Sequence, residues 1–96
     1  MPATNSILIT DDEPLILTAI SRLLREAGYA VLEAQSGEEA LELAKAHLPD
    51  LMLLDIVLPG IDGLQVCEKL KSDRRTAGIY ICFLSGKRIR SVERSE

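Results

Sequence analysis

The sequence predicts an α/β domain whose open parallel sheet carries helices on both faces. Two observations predict it. Short apolar runs alternate with longer stretches whose apolar residues recur at helical spacing, and strands joined by helices form right-handed parallel crossovers. Three of the runs also stop abruptly at acidic or small polar residues. In an open parallel sheet such strand ends meet at one edge. With 96 residues the chain has room for one domain.

Ser6-Ile7-Leu8-Ile9-Thr10 is a buried strand stopped by Asp11-Asp12. Pro14 suits the first turn of a helix, where its missing N–H has no partner to lose. Ile16, Ile20, Leu23, Leu24 and Ala27 follow at helical spacing, and Gly28 caps the end. Residues 29–34 form a second strand. Ser36 with Glu39 reads as a capping box for a helix buried through Ala40, Leu41, Ala44 and Leu48 and ended by Pro49. Leu51-Met52-Leu53-Leu54 is apolar throughout and so central, and it stops at Asp55. Residues 58–63 are loop by composition. Leu64, Val66, Cys67 and Leu70 mark a third helix. Ile79 to Leu84 is a fourth strand closed by Ser85-Gly86.

Composition excludes several classes. The net charge is −4 and no basic stripe precedes the last ten residues, which disfavours nucleic acid as a direct partner. No apolar run approaches the roughly 20 residues that cross a bilayer, and the start lacks a signal peptide's charged and apolar regions, so a cytoplasmic protein without membrane contact is expected. Cys67 and Cys82, each among apolar residues, read as small core residues rather than a disulfide. His47 belongs to no ligand-spaced cluster. Tyr29, Tyr80 and Phe83 are the only aromatic residues, so aliphatic residues and alanine must build the core.

The chemistry falls at three strand ends: Asp11-Asp12, Asp55 and Ser85-Gly86. Each has an ordinary structural reading as a turn, a helix start or an N-cap. Their joint order on these elements is harder to reach by chance. Three carboxylates at one edge repel one another unless a hard cation neutralises them, and Mg²⁺ takes such oxygen ligands. Asp55 then becomes the candidate nucleophile for a phosphoryl group. Ser85 offers a hydroxyl donor to that group, and Gly86 allows close backbone approach.

At these positions the sequence resembles the receiver domain of bacterial-type response regulators. The resemblance is carried by Ile7-Leu8-Ile9-Thr10-Asp11-Asp12-Glu13-Pro14, by residues 51–63 from Leu51 through Asp55-Ile56-Val57-Leu58-Pro59-Gly60 to Gly63, and by Phe83-Leu84-Ser85-Gly86. It implies a flavodoxin-like fold with strand order 2-1-3-4. It implies phosphoryl transfer to Asp55 from a histidine kinase or phosphotransfer protein. It also implies Mg²⁺ held by Asp12, Asp55 and the backbone carbonyl of Val57, with Asp11 acting mainly through water.

The resemblance also implies a fifth βα unit of about 30 residues, bearing a phosphate-pairing lysine, for which residues 87–96 leave no room. Lys87 follows the fourth strand and does not match that lysine. Residues 87–96 are expected to be a charged tail or the start of a fourth helix, and the fourth strand a sheet edge with unpaired backbone groups. A fragment of a longer protein is the preferred explanation, ahead of a shortened receiver completed by homodimerisation. The competing function is a receiver-like interaction domain that takes no phosphate. An independent phosphatase would carry a second Asp two residues after its nucleophile, where this chain has Val57. A nucleotide-binding protein would show a Gly-rich loop after the first strand, which is missing.

Overall fold

The computed structural model describes residues 5–85 and 88–91, with Ser85 and residues 88–91 described by their backbone. The elements run β1 (Ser6–Thr10), α1 (Pro14–Glu26), β2 (Ala30–Ala34), α2 (Gly37–His47), β3 (Leu51–Asp55), α3 (Gly63–Ser72), β4 (Tyr80–Ser85) and β5 (Arg88–Ser91). They form one sheet in the order β2-β1-β3-β4-β5. The first four strands are parallel, as expected, and stand in the order 2-1-3-4.

The C-terminal segment departs from the expectation. Arg88–Ser91 is neither a tail nor the opening of a helix: it turns back as an antiparallel strand on β4, pairing Cys82 with Ser91 and Ser85 with Arg88. The fourth strand is therefore not the sheet edge. Its outward N–H and C=O groups find backbone partners in β5, which satisfies groups that are costly to leave unpaired. The other residues of the 87–96 expectation lie outside the described residues.

Alternation along the strands builds two layers. Leu8, Met52, Leu54, Ile81 and Phe83 project to one side, where they join Ala40 and Ala44 of α2 and Val66 and Leu70 of α3 in the main core. On the other side α1 lies over β1 and β2. It buries Leu17 and Ser21, with Ile20 and Leu24 half-buried, while Leu23 is 65% exposed. The buried stripe thus lies one step round the helix from the expected one. Leu51, Leu53 and Cys82 on that side of β3 and β4 are only half-buried, and Tyr80 is exposed. The expectation of helices over both faces holds fully for one face and partly for the other.

Local chemistry sets the element ends. Gly28 has φ +104°, and its N–H reaches the Arg25 carbonyl while that of Tyr29 reaches Leu24, a Schellman closure of α1. Ser36 caps α2 by accepting from the Glu39 N–H, but the Glu39 carboxylate accepts from Gln35 N–H, one residue before the box position. The reciprocal capping box belongs to α3, between Asp62 and Gln65. Cys67 and Cys82 are both thiols, and burial pushes that of Cys67 up.

Candidate functional site

The sheet register brings the acidic residues together. Thr10 pairs with Leu54 across β1 and β3, so the next residues on each strand, Asp11 and Asp55, emerge side by side. Asp12 follows as the chain leaves the sheet. One carboxylate oxygen from each of Asp11, Asp12 and Asp55 lies within 4.8 Å of the others. Asp11 and Asp55 are buried, while Asp12 is exposed, so the cluster opens to solvent on one side.

Backbone donors orient the two buried carboxylates. Asp11 Oδ1 accepts from the Glu13 N–H at 2.9 Å and Asp55 Oδ1 from the Val57 N–H at 3.2 Å. Both are bonds to the amide two residues on, which hold the side chain against its own turn. A carboxylate has about four lone-pair directions, and a bond of this kind occupies one of them and sets the orientation of the group. Three mutually repelling carboxylates in oxygen-ligand reach suit a hard divalent cation, so the donor set fits Mg²⁺.

The remaining expected site residues are placed less fully. Val57 follows Asp55 by two residues and is 75% exposed. Asp55 pairs with Leu84 across β3 and β4, so the backbone of Ser85 continues along the same edge of the sheet. Gly86 lies outside the described residues.

Two glycines shape the loop between Asp55 and α3: Gly63 closes the stretch already read as loop, while Gly37 carries no signal in the sequence. Gly63 opens α3 with its N–H bonded to the Ile56 carbonyl at 2.8 Å. A Cβ there would fall on the Asp55 carbonyl and 2.8 Å from Ile56 Cα. Gly37, at the start of α2, faces Ile61 from the far side of the loop. Sequence composition reports a loop at residues 58–63; only the fold reveals which glycines are pressed against it.

Comparison with known proteins gives the family. Residues 7–93 match the response regulator receiver domain, and the chain belongs to that family, the receiver domain of two-component response regulators. It is 44% identical over 68 residues to the alkaline phosphatase synthesis transcriptional regulatory protein PhoP of Bacillus subtilis, covering 71% of this chain and 28% of PhoP. It is 43% identical over 78 residues to the polar-differentiation response regulator DivK of Brucella ovis, covering 81% of this chain and 63% of DivK. The crystal structure of response regulator protein TrrA from Thermotoga maritima, in complex with Mg²⁺-BeF, superposes with a TM-score of 0.79 at 36% identity, covering 85% of this chain and 70% of TrrA. The match thus spans less than a third of PhoP and less than two thirds of DivK. No helix among the described residues is long and apolar enough to cross a membrane.

Proposed function

We propose that this chain accepts a phosphoryl group on Asp55, from a histidine kinase or a phosphotransfer protein, with Mg²⁺ held beside it. The observation that carries the reading is the convergence of three carboxylates from two strand ends to within 4.8 Å. Asp12, Asp55 and the Val57 carbonyl would hold the ion directly, and Asp11 through water. Bound Mg²⁺ would offset most of the cluster's charge and part of that on the phosphoryl oxygens.

The chain's own part is to present one Asp55 oxygen to the phosphorus. The Val57 N–H fixes the carboxylate by holding its Oδ1. The attacking oxygen forms a bond to phosphorus as the phosphorus–nitrogen bond of the donor histidine breaks. Asp55 is left as an acyl phosphate, and the departing imidazole takes its proton from solvent. Ser85 would donate its hydroxyl, and Gly86 its backbone N–H, to phosphoryl oxygens. The cell compartment that fits this exchange is the cytoplasm, and the role is that of a signalling acceptor.

A small phosphodonor tests this. With Mg²⁺ present, intact-mass spectrometry is expected to show one phosphoryl adduct, lost on chelation with EDTA and absent in Asp55→Asn. An adduct that persists in Asp55→Asn would overturn the assignment, and so would no adduct on the parent chain.

A further inference from the structure

We infer that Gly37, on a helix that contributes no residue to the acidic site, is a positioning residue for that site. The inference rests on the proposed Mg²⁺ site and adds a residue that controls it. Gly37 is the first residue of α2 and is buried. A Cβ built there would lie 2.7 Å from Ile61 Cγ1, 2.8 Å from the Ile61 carbonyl oxygen and 2.8 Å from Val66 Cγ2. These are separations that real side chains do not reach. The loop after Asp55 therefore seats on bare backbone at the opening of α2.

The seat is continuous with the site. Ile61 precedes Asp62, whose side chain and backbone form the capping box that starts α3. Gly63 follows and ties back to the Ile56 carbonyl, against the Asp55 backbone. Ile56 and Val57 then lead into the amide that holds Asp55 Oδ1. A second contact runs beside the first: the Glu38 carboxylate lies against Gly60, where a Cβ would be 2.9 Å from Oε2. Residues 56–62 are thus held between Gly63 at the strand side and Gly37 at the helix side. The two backbone obstacles at Gly37 and Gly63 cannot rotate away as side chains can.

Adding a methyl at Gly37 pushes the Ile61 carbonyl outward and carries the Val57 carbonyl and the Asp55 orientation with it. Groups that orient metal ligands without touching the metal typically govern affinity by tenfold or more. The test is Mg²⁺ binding by isothermal titration calorimetry on the 96-residue chain, alongside its melting temperature. Gly37→Ala is expected to remain folded and to bind Mg²⁺ roughly tenfold more weakly. Gly28→Ala is the control: its φ of +104° makes any side chain strained, yet nothing lies within 4 Å of its Cβ. It should lower the melting temperature and leave Mg²⁺ affinity within about twofold, since it touches no group that orients a ligand.

Parent-like Mg²⁺ affinity in folded Gly37→Ala would overturn the inference. So would an equal loss in Gly28→Ala, because affinity would then follow stability alone. If Gly37→Ala does not fold, Ile61→Ala takes its place, withdrawing the side chain that rests on Gly37 without adding volume. Weakened binding in that variant supports the seat, and parent-like binding sinks it. Failure of the parent chain itself to bind Mg²⁺ would instead defeat the underlying metal-site reading.

Discussion

Asp55 and Asp11 are buried next to a third carboxylate, an arrangement that costs stability in the absence of a cation. Repulsion between charges a few ångströms apart is worth about 1 kcal/mol or more at the edge of a protein. Asp55→Asn keeps an oxygen for the Val57 N–H and removes one charge. It is expected to melt above the parent in EDTA, and to lose the rise in melting temperature that Mg²⁺ gives the parent through preferential binding to the folded state. Scanning calorimetry with and without Mg²⁺ checks both. A lower melting temperature for Asp55→Asn in EDTA would show that the bonds made by the Asp55 carboxylate outweigh the repulsion. Asp73 illustrates the opposite balance. The Arg75 backbone N–H donates to its Oδ1 at 2.9 Å, and this bond first, then the Arg75 side chain, holds its carboxyl below the usual range. A depressed folded value contributes stability above the unfolded value of about 3.9, and that contribution fades as pH falls through the folded one. Asp73→Asn should therefore melt slightly below the parent at pH 7, with the gap closing in acid. A gap independent of pH would exclude the charge as its cause.

At the scale of elements, the connection from α3 to β4 is fastened by polar groups between the core residues Leu70 and Ile79. The buried Thr76 hydroxyl donates to the Leu70 carbonyl at 2.7 Å, and the Lys71 ammonium donates to the carbonyls of Ala77 and Ile79 at 2.9 and 2.8 Å. These bonds satisfy carbonyls at the end of α3 and in the loop beyond it. Thr76→Val keeps the shape and removes the donor, and should cost about 1–2 kcal/mol in chemical denaturation. An unchanged midpoint would mean that water replaces the hydroxyl. Nothing in the sequence of residues 73–78 marks these bonds, because hydrogen bonds to carbonyls leave no periodic signal. Strand β1 was legible because burial on both faces demands an unbroken apolar run, and β3 because its run is equally apolar although one face is only half-buried. The buried stripe of α1 was read one step off, since Leu17 and Leu23 are indistinguishable by hydropathy, and Ser21, a buried polar residue, masks the true face. Gly37 and Gly63 were not legible as site residues: what matters about them is a neighbour distant in sequence.

Over the whole molecule, the acidic site and the uncovered surface lie at opposite ends of the sheet. Asp11, Asp12 and Asp55 occupy the carboxyl ends of the strands. At the amino ends, Leu24, Tyr29, Leu51, Leu53 and Tyr80 line an open cleft of about 540 Å³, with Asn5, Ser6 and Asp50 at its polar margin. Exposed apolar surface of this kind binds amphiphilic dyes and drives association. The parent chain is expected to enhance anilinonaphthalene sulfonate fluorescence under native conditions, and Tyr80→Glu to reduce the enhancement with little change in melting temperature, because Tyr80 is 75% exposed. Equal enhancement in both would place the dye elsewhere. Convergence of the three acidic positions was legible at this scale, because parallel crossovers leave all strand ends on one edge. The antiparallel β5 was not: Arg88-Ile89-Arg90-Ser91 has one apolar residue, and its strand form comes from the open edge of β4 rather than from its own composition.

A divalent-cation site built from three carboxylates, with Asp55 as the phosphoryl acceptor, is tested most directly with beryllofluoride, a phosphoryl mimic. The mimic is titrated into the parent chain in Mg²⁺ and in EDTA, and binding is followed by calorimetry. Saturable one-to-one binding is expected in Mg²⁺, disappearing in EDTA and in both Asp55→Asn and Asp12→Asn. Binding that is indifferent to Mg²⁺, or retained in Asp55→Asn, would contradict the proposed site.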